Sequence, residues 1–334
     1  MAIATPLAAA CQNAAVPKPR VLIVSPALAE ANNGNWRTAS RWRTFLSAMA
    51  EVEIARGWDG TPRDALIALH ARRSADAVAQ WRAAHPAAPL ALVLTGTDVY
   101  RDIEESPAAQ HSLQCASALV VLQPDALDHL GAAERAKARV IVQSASRVRG
   151  RPAQRHVDLV AVGHLRDEKD PLTLMAAARR LPADMPMRIV HIGEALAPEL
   201  GDAARRTMAE CPRYRWLGGL PREAARRWIA RARALVHMSR MEGGAQVVIE
   251  AVRSGVPVLA SRIGGNLGLL GEDYEGYFPV GDDAALAALM LRFAAEPAFA
   301  DRLRAQCALR EPAFSPAAEQ SNVRRLLHDL LASP

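Results

Sequence analysis

Residues 240–261 read RMEGGAQVVIEAVRSGVPVLAS. An acid and two glycines come first, then a helix from about Ala245 to Ser254, then a Gly-Val-Pro turn into the apolar run Pro257–Ala260. Just upstream, Ala234–Met238 reads as another strand. Strand, glycine loop, helix, strand is a βαβ unit. Strands without polar alternation belong to a parallel sheet covered on both faces.

The same grammar extends in both directions. Downstream, Asp282–Leu331 reads as helical. Upstream, strands are expected at Leu159–Val162, Arg188–Ile192 and Tyr214–Leu217, with helices at Pro171–Arg180, Ala203–Glu210 and Glu223–Arg231. Ser144–His156 (SASRVRGRPAQRH) breaks the pattern: polar, basic and non-periodic, it reads as a linker. Before it, strands are expected at Val21–Ser25, Val52–Ala55, Ala65–Leu69, Leu90–Leu94, Leu119–Leu122 and Val140–Gln143, with a helix at Arg37–Ala50. The fold class is therefore α/β, with two doubly wound halves facing across a cleft. Their expected bounds are 20–150 and 151–310. Residues 1–19 are a disordered lead-in, and 311–334 a terminal helix able to pack back on the first half.

Composition bounds the function. At 334 residues the chain exceeds what one core usually serves. No apolar run reaches membrane-spanning length, and the Ala-rich start lacks the basic region of a signal peptide. The balance of 41 basic and 35 acidic residues gives +6, spread without a Lys/Arg run. That argues for a small anionic ligand or an ordinary surface, and against nucleic acid or membrane partners. Cys11, Cys115, Cys211 and Cys307 lie far apart and form no ligand pattern, so they read as reduced thiols of a cytoplasmic protein.

Glu242 and Glu250 flank Gly243-Gly244. Eight residues of helical rise separate the acids by about 12 Å. A two-carboxylate glycosidase needs about 5–10 Å. The spacing suits one elongated ligand with hydroxyls at both ends and an anion between, held by amides at the helix start. It equally fits a polar loop before a core helix with Glu250 in solvent. The following segment RIGGNLGLL reads as a second glycine-rich loop, which favours a phosphate-bearing ligand.

Glu242-x7-Glu250, with Gly243-Gly244 inside and Ser254-Gly255-Val256-Pro257 behind, resembles the retaining GT-B glycosyltransferases that include sucrose and phosphatidylinositol sugar transferases. The resemblance implies that Glu250 holds the ribose, Glu242 the donor sugar, and the amides of Gly243, Gly244 and Ala245 the sugar and phosphates. A second signature lies in VGHLRDEKDP, residues 162–171. That family usually carries Arg directly after the glycine and Lys five residues later. Lys169 fits the second position and His164 stands in the first, so the diphosphate contacts implied are Lys169 with Arg166 or His164. A charged loop with surface ion pairs is the plainer reading. By the same resemblance Leu217 and Leu220 of YRWLGGL edge a uracil pocket, though a core strand and turn fit as well. No metal or other cofactor is implied.

Three loops of the first half carry basic and hydroxyl groups: NGNWRTASRW with Gly34, Asn35, Arg37 and Arg41, LHARRSA with His70, Arg72 and Arg73, and LTGTDVYRD with Thr97, Asp98 and Arg101. In this order they look like the selenosugar synthases of selenoneine biosynthesis. That resemblance implies UDP-N-acetylglucosamine and selenophosphate as substrates, and 1-seleno-N-acetylglucosamine, UDP and phosphate as products. Each residue also has a plain role: Arg37 and Arg41 as a solvated helix face, Arg72 and Arg73 as a surface pair, Asp98 as a turn residue, His70 as a core histidine. A transferase with a hydroxyl or phosphate acceptor, and a sugar-nucleotide sensor without turnover, fit the same motifs. A nicotinamide oxidoreductase does not, because SPALAEANNGNWR lacks GxGxxG.

Overall fold

The structure is a computed structural model that describes residues 17–31, 34–96, 98–152 and 156–332; Cys11 and most of the expected lead-in lie outside them. Two six-stranded parallel sheets carry the fold. The first contains β1 (Arg20–Val24), β2 (Glu51–Ala55), β3 (Ala65–Leu69), β4 (Leu90–Leu94), β5 (Ala118–Val121) and β6 (Ala138–Val140), in the order β2-β1-β3-β4-β5-β6. The second contains β7 (Val157–Val162), β8 (Met187–Ile192), β9 (Tyr214–Trp216), β10 (Ala234–His237), β11 (Val258–Ser261) and β12 (Tyr277–Phe278), in the order β12-β11-β10-β7-β8-β9. Both sheets are doubly wound. Each order reverses once, between β1 and β3 and between β7 and β10, and open α/β sheets bind ligands outside the carboxyl ends of strands at such reversals.

The unbroken apolar strands have the expected cause. Alternate residues of β1, β3 and β4 point to opposite faces and enter two separate cores. Ile23 and Ile67 pack with Trp42 and Leu46 on one face; Leu22, Leu66 and Leu92 pack with Val78 and Trp81 on the other. The helix Pro316–Ala332, last in sequence, crosses to the first lobe and adds Val323, Leu326, Leu327 and Leu330 to the face with Trp42. Each such side chain contributes about 1.5–3 kcal/mol on burial.

Two expectations need correction. The strand foreseen at Val140–Gln143 ends at Val140, because Gln143 and Ser144 are buried in polar contacts with Thr38 and with Glu319 of the terminal helix instead of pairing in the sheet. The segment RIGGNLGLL is a helix, Gly264–Leu270, rather than a loop. Its glycines allow close approach: a Cβ at Gly268 would stand 1.9 Å from Gln123 Oε1 of the first lobe, and one at Gly265 2.2 Å from the Glu242 carbonyl oxygen. Among the described residues, no helix is long and apolar enough to cross a membrane.

One core group makes the fold pH-sensitive. His191 on β8 is fully buried, with Nδ1 2.9 Å from the Tyr214 hydroxyl. Burial pushes its imidazole from 6.5 down to about 4. Between those values the unfolded chain binds a proton that the folded chain refuses, so stability falls as pH falls across that window. The loss reaches about 3 kcal/mol. Urea unfolding at pH 4.5 and 7 should show it, and His191→Leu should remove that component. An unchanged pH slope in the variant would refute the assignment.

Candidate functional site

The reversal between β7 and β10 sets the site. The loop after β7 carries Gly163, His164 and Lys169; the loop after β10 carries Glu242–Ala245. Gly193, after β8, lets the neighbouring loops meet: a Cβ there would stand 1.8 Å from the Gly163 carbonyl oxygen. With that contact made, the Glu194 amide donates to His164 Nδ1 at 3.3 Å. Burial lowers the His164 pKa; Glu194 opposes this, while Arg166, Lys169 and Arg37 add to it. A neutral imidazole accepting at Nδ1 carries its proton on Nε2, available to donate.

Lys169 pairs with Glu242 Oε1. The same oxygen accepts from the Ser239 hydroxyl at 2.8 Å and lies 3.3 Å from His237 Nε2. Burial alone would raise the Glu242 pKa, but the Lys169 charge and the His237 hydrogen bond outweigh it and hold the carboxyl well below the usual range. The acid is therefore ionised throughout the working pH range. The glycines beside it are required. Gly243 lies so close to the first lobe that a Cβ would stand 2.4 Å from the Gly96 Cα and 2.6 Å from the Thr95 carbonyl oxygen.

Glu250 lies in the helix Gln246–Arg253 and is buried. Its Oε1 accepts from Arg222 Nη2 at 3.0 Å and lies 3.7 Å from Arg226 Nε. Arg222 opens the helix Arg222–Arg231. From across the cleft Arg37 joins them: burial first, then the Arg222 charge, lower its pKa, while Glu250 opposes the shift.

These groups enclose a cavity of about 590 Å³ between the lobes, a size suited to a substantial small molecule. Of the residues singled out in the sequence, Glu242, Gly244, Ala245, Glu250, Lys169, His164, Leu220, Gly34, Asn35 and Arg37 line it. Gly243 forms the lobe contact behind the wall. Arg166 does not line the cavity; it is about half exposed, 3.7 Å from Glu168. Leu217 is exposed, away from the lining.

Several first-lobe residues lie outside the lining, and for His70 and Asp98 the structure shows the plainer of the two roles foreseen, a buried histidine and a turn residue. Arg41 does not face the cavity: it donates to both oxygens of Glu319, at 2.7 and 3.0 Å, and so fastens the terminal helix. His70, Arg72, Arg73, Asp98 and Arg101 are also outside the lining. His70 is buried, at φ +74°, 3.9 Å from Asp98 and 3.8 Å from Asp102. Asp102 takes Arg72 at 2.9 Å, with Arg101 at 3.5 Å. Asp98 accepts from the amides of Thr95, Gly96 and Ala71. This cluster builds the turn that meets Gly243, so it supports the wall rather than touching what the wall encloses. Thr97 lies outside the described residues.

Sequence reading missed Arg222, Glu194, Thr38, Gln143 and Gln246, all of which line the cavity. One signal was available for two of them: Glu194 and Arg222 follow the second and third strands of their lobe, Glu194 in the loop after β8 and Arg222 at the start of the helix after β9.

Residues 143–309 match the family described as glycosyl transferases group 1. Among solved structures, a sucrose-phosphate synthase from Thermosynechococcus elongatus superposes with a TM-score of 0.73 at 18% identity, over 95% of this chain and 100% of its own. HepE from Anabaena, crystallised with UDP and glucose, gives 0.72 at 15%, over 93% and 100%. The pneumococcal O-GlcNAc transferase GtfA, crystallised with UDP and GlcNAc, gives 0.63 at 17%, over 80% and 57%. At these identities the likeness is one of fold.

Proposed function

The chain belongs to the glycosyl transferases group 1, and on that premise we propose that it moves N-acetylglucosamine from UDP-N-acetylglucosamine to the selenium of selenophosphate. The observation that carries the donor reading is how the two acids are held. Contacts from Lys169, Ser239 and His237 converge on Oε1 of Glu242, and those from Arg222 and Arg226 on Oε1 of Glu250. The second oxygen of each acid is the acceptor offered to vicinal hydroxyls: the hexose at Glu242, the ribose at Glu250. Two similar folds, HepE and GtfA, were solved with UDP and a sugar.

In this reading selenium attacks C1 on the face from which the diphosphate departs, preserving the anomeric configuration. The C1–Se bond forms as the C1–O bond to the diphosphate breaks. Water then takes the phosphoryl group from selenium and releases phosphate. Lys169 and the Nε2–H of His164 offset the charge that grows on the leaving diphosphate. Closed lobes exclude water that would otherwise hydrolyse the donor. The chain's own cations perform the stabilisation, with no metal in the scheme. Gly34, Asn35 and Arg37 receive the acceptor.

One observation favours a hydroxyl acceptor instead. Arg41, Arg72 and Arg101 are committed to carboxylates, which leaves Arg37 as the one first-lobe cation in the cavity lining among the described residues. The experiment that separates the two supplies UDP-N-acetylglucosamine with selenophosphate, inorganic phosphate or glycerol, and weighs the products. UDP release that requires selenophosphate, with a seleno-sugar mass, supports the proposal. UDP release with glycerol alone rejects the selenium acceptor but keeps the donor site; UDP binding without turnover on any acceptor rejects the enzyme. Glu250→Ala should raise the donor KM about 10–100-fold, the loss of one or two charge-assisted hydrogen bonds. An unchanged KM would remove the ribose role.

A further inference from the structure

The basic linker remains outside this account. Arg147, Arg149 and Arg151 alternate along it, and none lines the donor cavity. Gly150 shows where the segment lies. A Cβ there would stand 2.1 Å from the Ala230 carbonyl oxygen and 2.9 Å from the Arg231 amide nitrogen. The linker backbone is thus pressed onto the last turn of the helix Arg222–Arg231, a contact only glycine permits. Arg149 and Arg151 flank that contact. On the helix, Arg227 and Arg231 stand one turn apart on one face, and the Arg231 guanidinium lies 4.9 Å from the Trp228 ring.

Both pairs of arginines line the same hollow, of about 450 Å³, with Trp228 as its apolar wall. Its lining holds four arginines and no acid. Among the described residues, none of the four has a carboxylate partner. The carboxyl end of a helix supplies roughly half a negative charge, which offsets about half of one guanidinium charge and not four. Four like charges around one concavity repel one another unless an anion joins them. Guanidinium forks match phosphate oxygens two at a time.

We propose that this hollow is a second anion site, for a small phosphate compound of the pyrophosphate class. Its concavity and volume suit a small molecule; a membrane or a nucleic acid would meet a broader, flatter surface. The hollow continues inward into a smaller one at the start of β7, beside Asp158. The donor loop begins at the other end of that strand, about 16 Å away. The two sites therefore lie at opposite ends of the strands of one sheet and can fill together.

The test is calorimetric titration of the full chain with inorganic pyrophosphate, with excess UDP present to occupy the donor cleft. One pyrophosphate should bind per chain. Affinity should fall at least tenfold in the Arg149→Ala/Arg227→Ala double variant, whose two positions are exposed and whose circular dichroism should match the parent. Lys169→Ala should retain the binding. Inorganic phosphate should bind more weakly than pyrophosphate, since it presents one phosphoryl group rather than two. No binding beside UDP, or binding indifferent to the double substitution, overturns the proposal. So does pelleting with phosphatidylserine vesicles that depends on Arg149 and Arg227 while pyrophosphate fails to bind; that result would assign the arginines to an anionic lipid surface.

Discussion

Lys169→Ala is expected to lower kcat for UDP release by about 10²–10³, the cost of removing one fixed donor from a site where charge develops. The geometry adds a second consequence. Lys169 is the cation that pairs with Glu242 in the donor-free protein, and its charge is the leading factor that overcomes burial and keeps the Glu242 carboxyl far below its usual range. Without it, Glu242 retains Ser239 and His237 while burial pushes its pKa upward. The variant should therefore gain an acid limb in kcat/KM between about pH 4 and 6, the region of an ordinary or raised carboxyl, where the parent has none from this residue. The sign follows directly: a group whose folded pKa is depressed stays ionised until pH falls through that depressed value, so raising the value moves the loss of activity into the measured range. Lys169→Arg should restore the flat profile more fully than it restores kcat, because the charge returns on a longer, planar group. An unchanged kcat in Lys169→Ala, or a pH profile that does not move, would separate Lys169 from the chemistry.

Parts of this arrangement were legible in the chain because they depend on local order. Continuous apolar strands such as Ala65–Leu69 and Leu90–Leu94 announced a covered parallel sheet, and both occur with those bounds. Glu242 and Glu250 sit at a fixed spacing across a helix start, so one sequence window carries their relation. Lys169 follows its strand by a short loop. What stayed hidden is long-range. Arg41 looked like a cleft cation because its partner Glu319 lies 278 residues further on. His70 and Arg72 looked like ligands because their carboxylates, Asp98 and Asp102, sit on the next strand-end loop; Arg101 instead lies against its own sequence neighbour, Asp102. A basic residue at a strand end reads the same whether it awaits an anion or already has one. The helix Gly264–Leu270 was hidden for a different reason: three glycines within it disfavour a helix locally, and contacts with Gln123 and Glu242 that only glycine allows outweigh that propensity.

Glu319→Ala should be among the most destabilising single substitutions in the chain, costing about 3–5 kcal/mol, because it removes one member of a buried ion pair. The Glu319 side chain is fully buried in the helix Pro316–Ala332, while Arg41 is 17% exposed. Besides Arg41, Glu319 accepts from Trp42 Nε1 at 2.9 Å and from the Ser144 amide at 2.8 Å. One carboxylate thus ties together the terminal helix, the first-lobe helix Gly34–Leu46 and the start of the linker. Alanine leaves three sets of donors without an acceptor, one of them charged. Glu319→Gln gives up the charge and keeps one acceptor oxygen, enough for Trp42 or Ser144 but not both, since they use different oxygens; it should therefore fall between parent and alanine. The effect should also reach the donor cleft. Ser144 accepts from Gln246 through its carbonyl oxygen, and the preceding Gln143 donates to the Thr38 hydroxyl; Gln246, Gln143 and Thr38 all line the cavity. Urea unfolding measures the first effect, and the donor KM of the folded fraction at low temperature measures the second. A loss below about 1 kcal/mol would mean that the terminal helix is held by its leucines alone. A large loss of stability with an unchanged KM would mean that the linker keeps its place without Glu319.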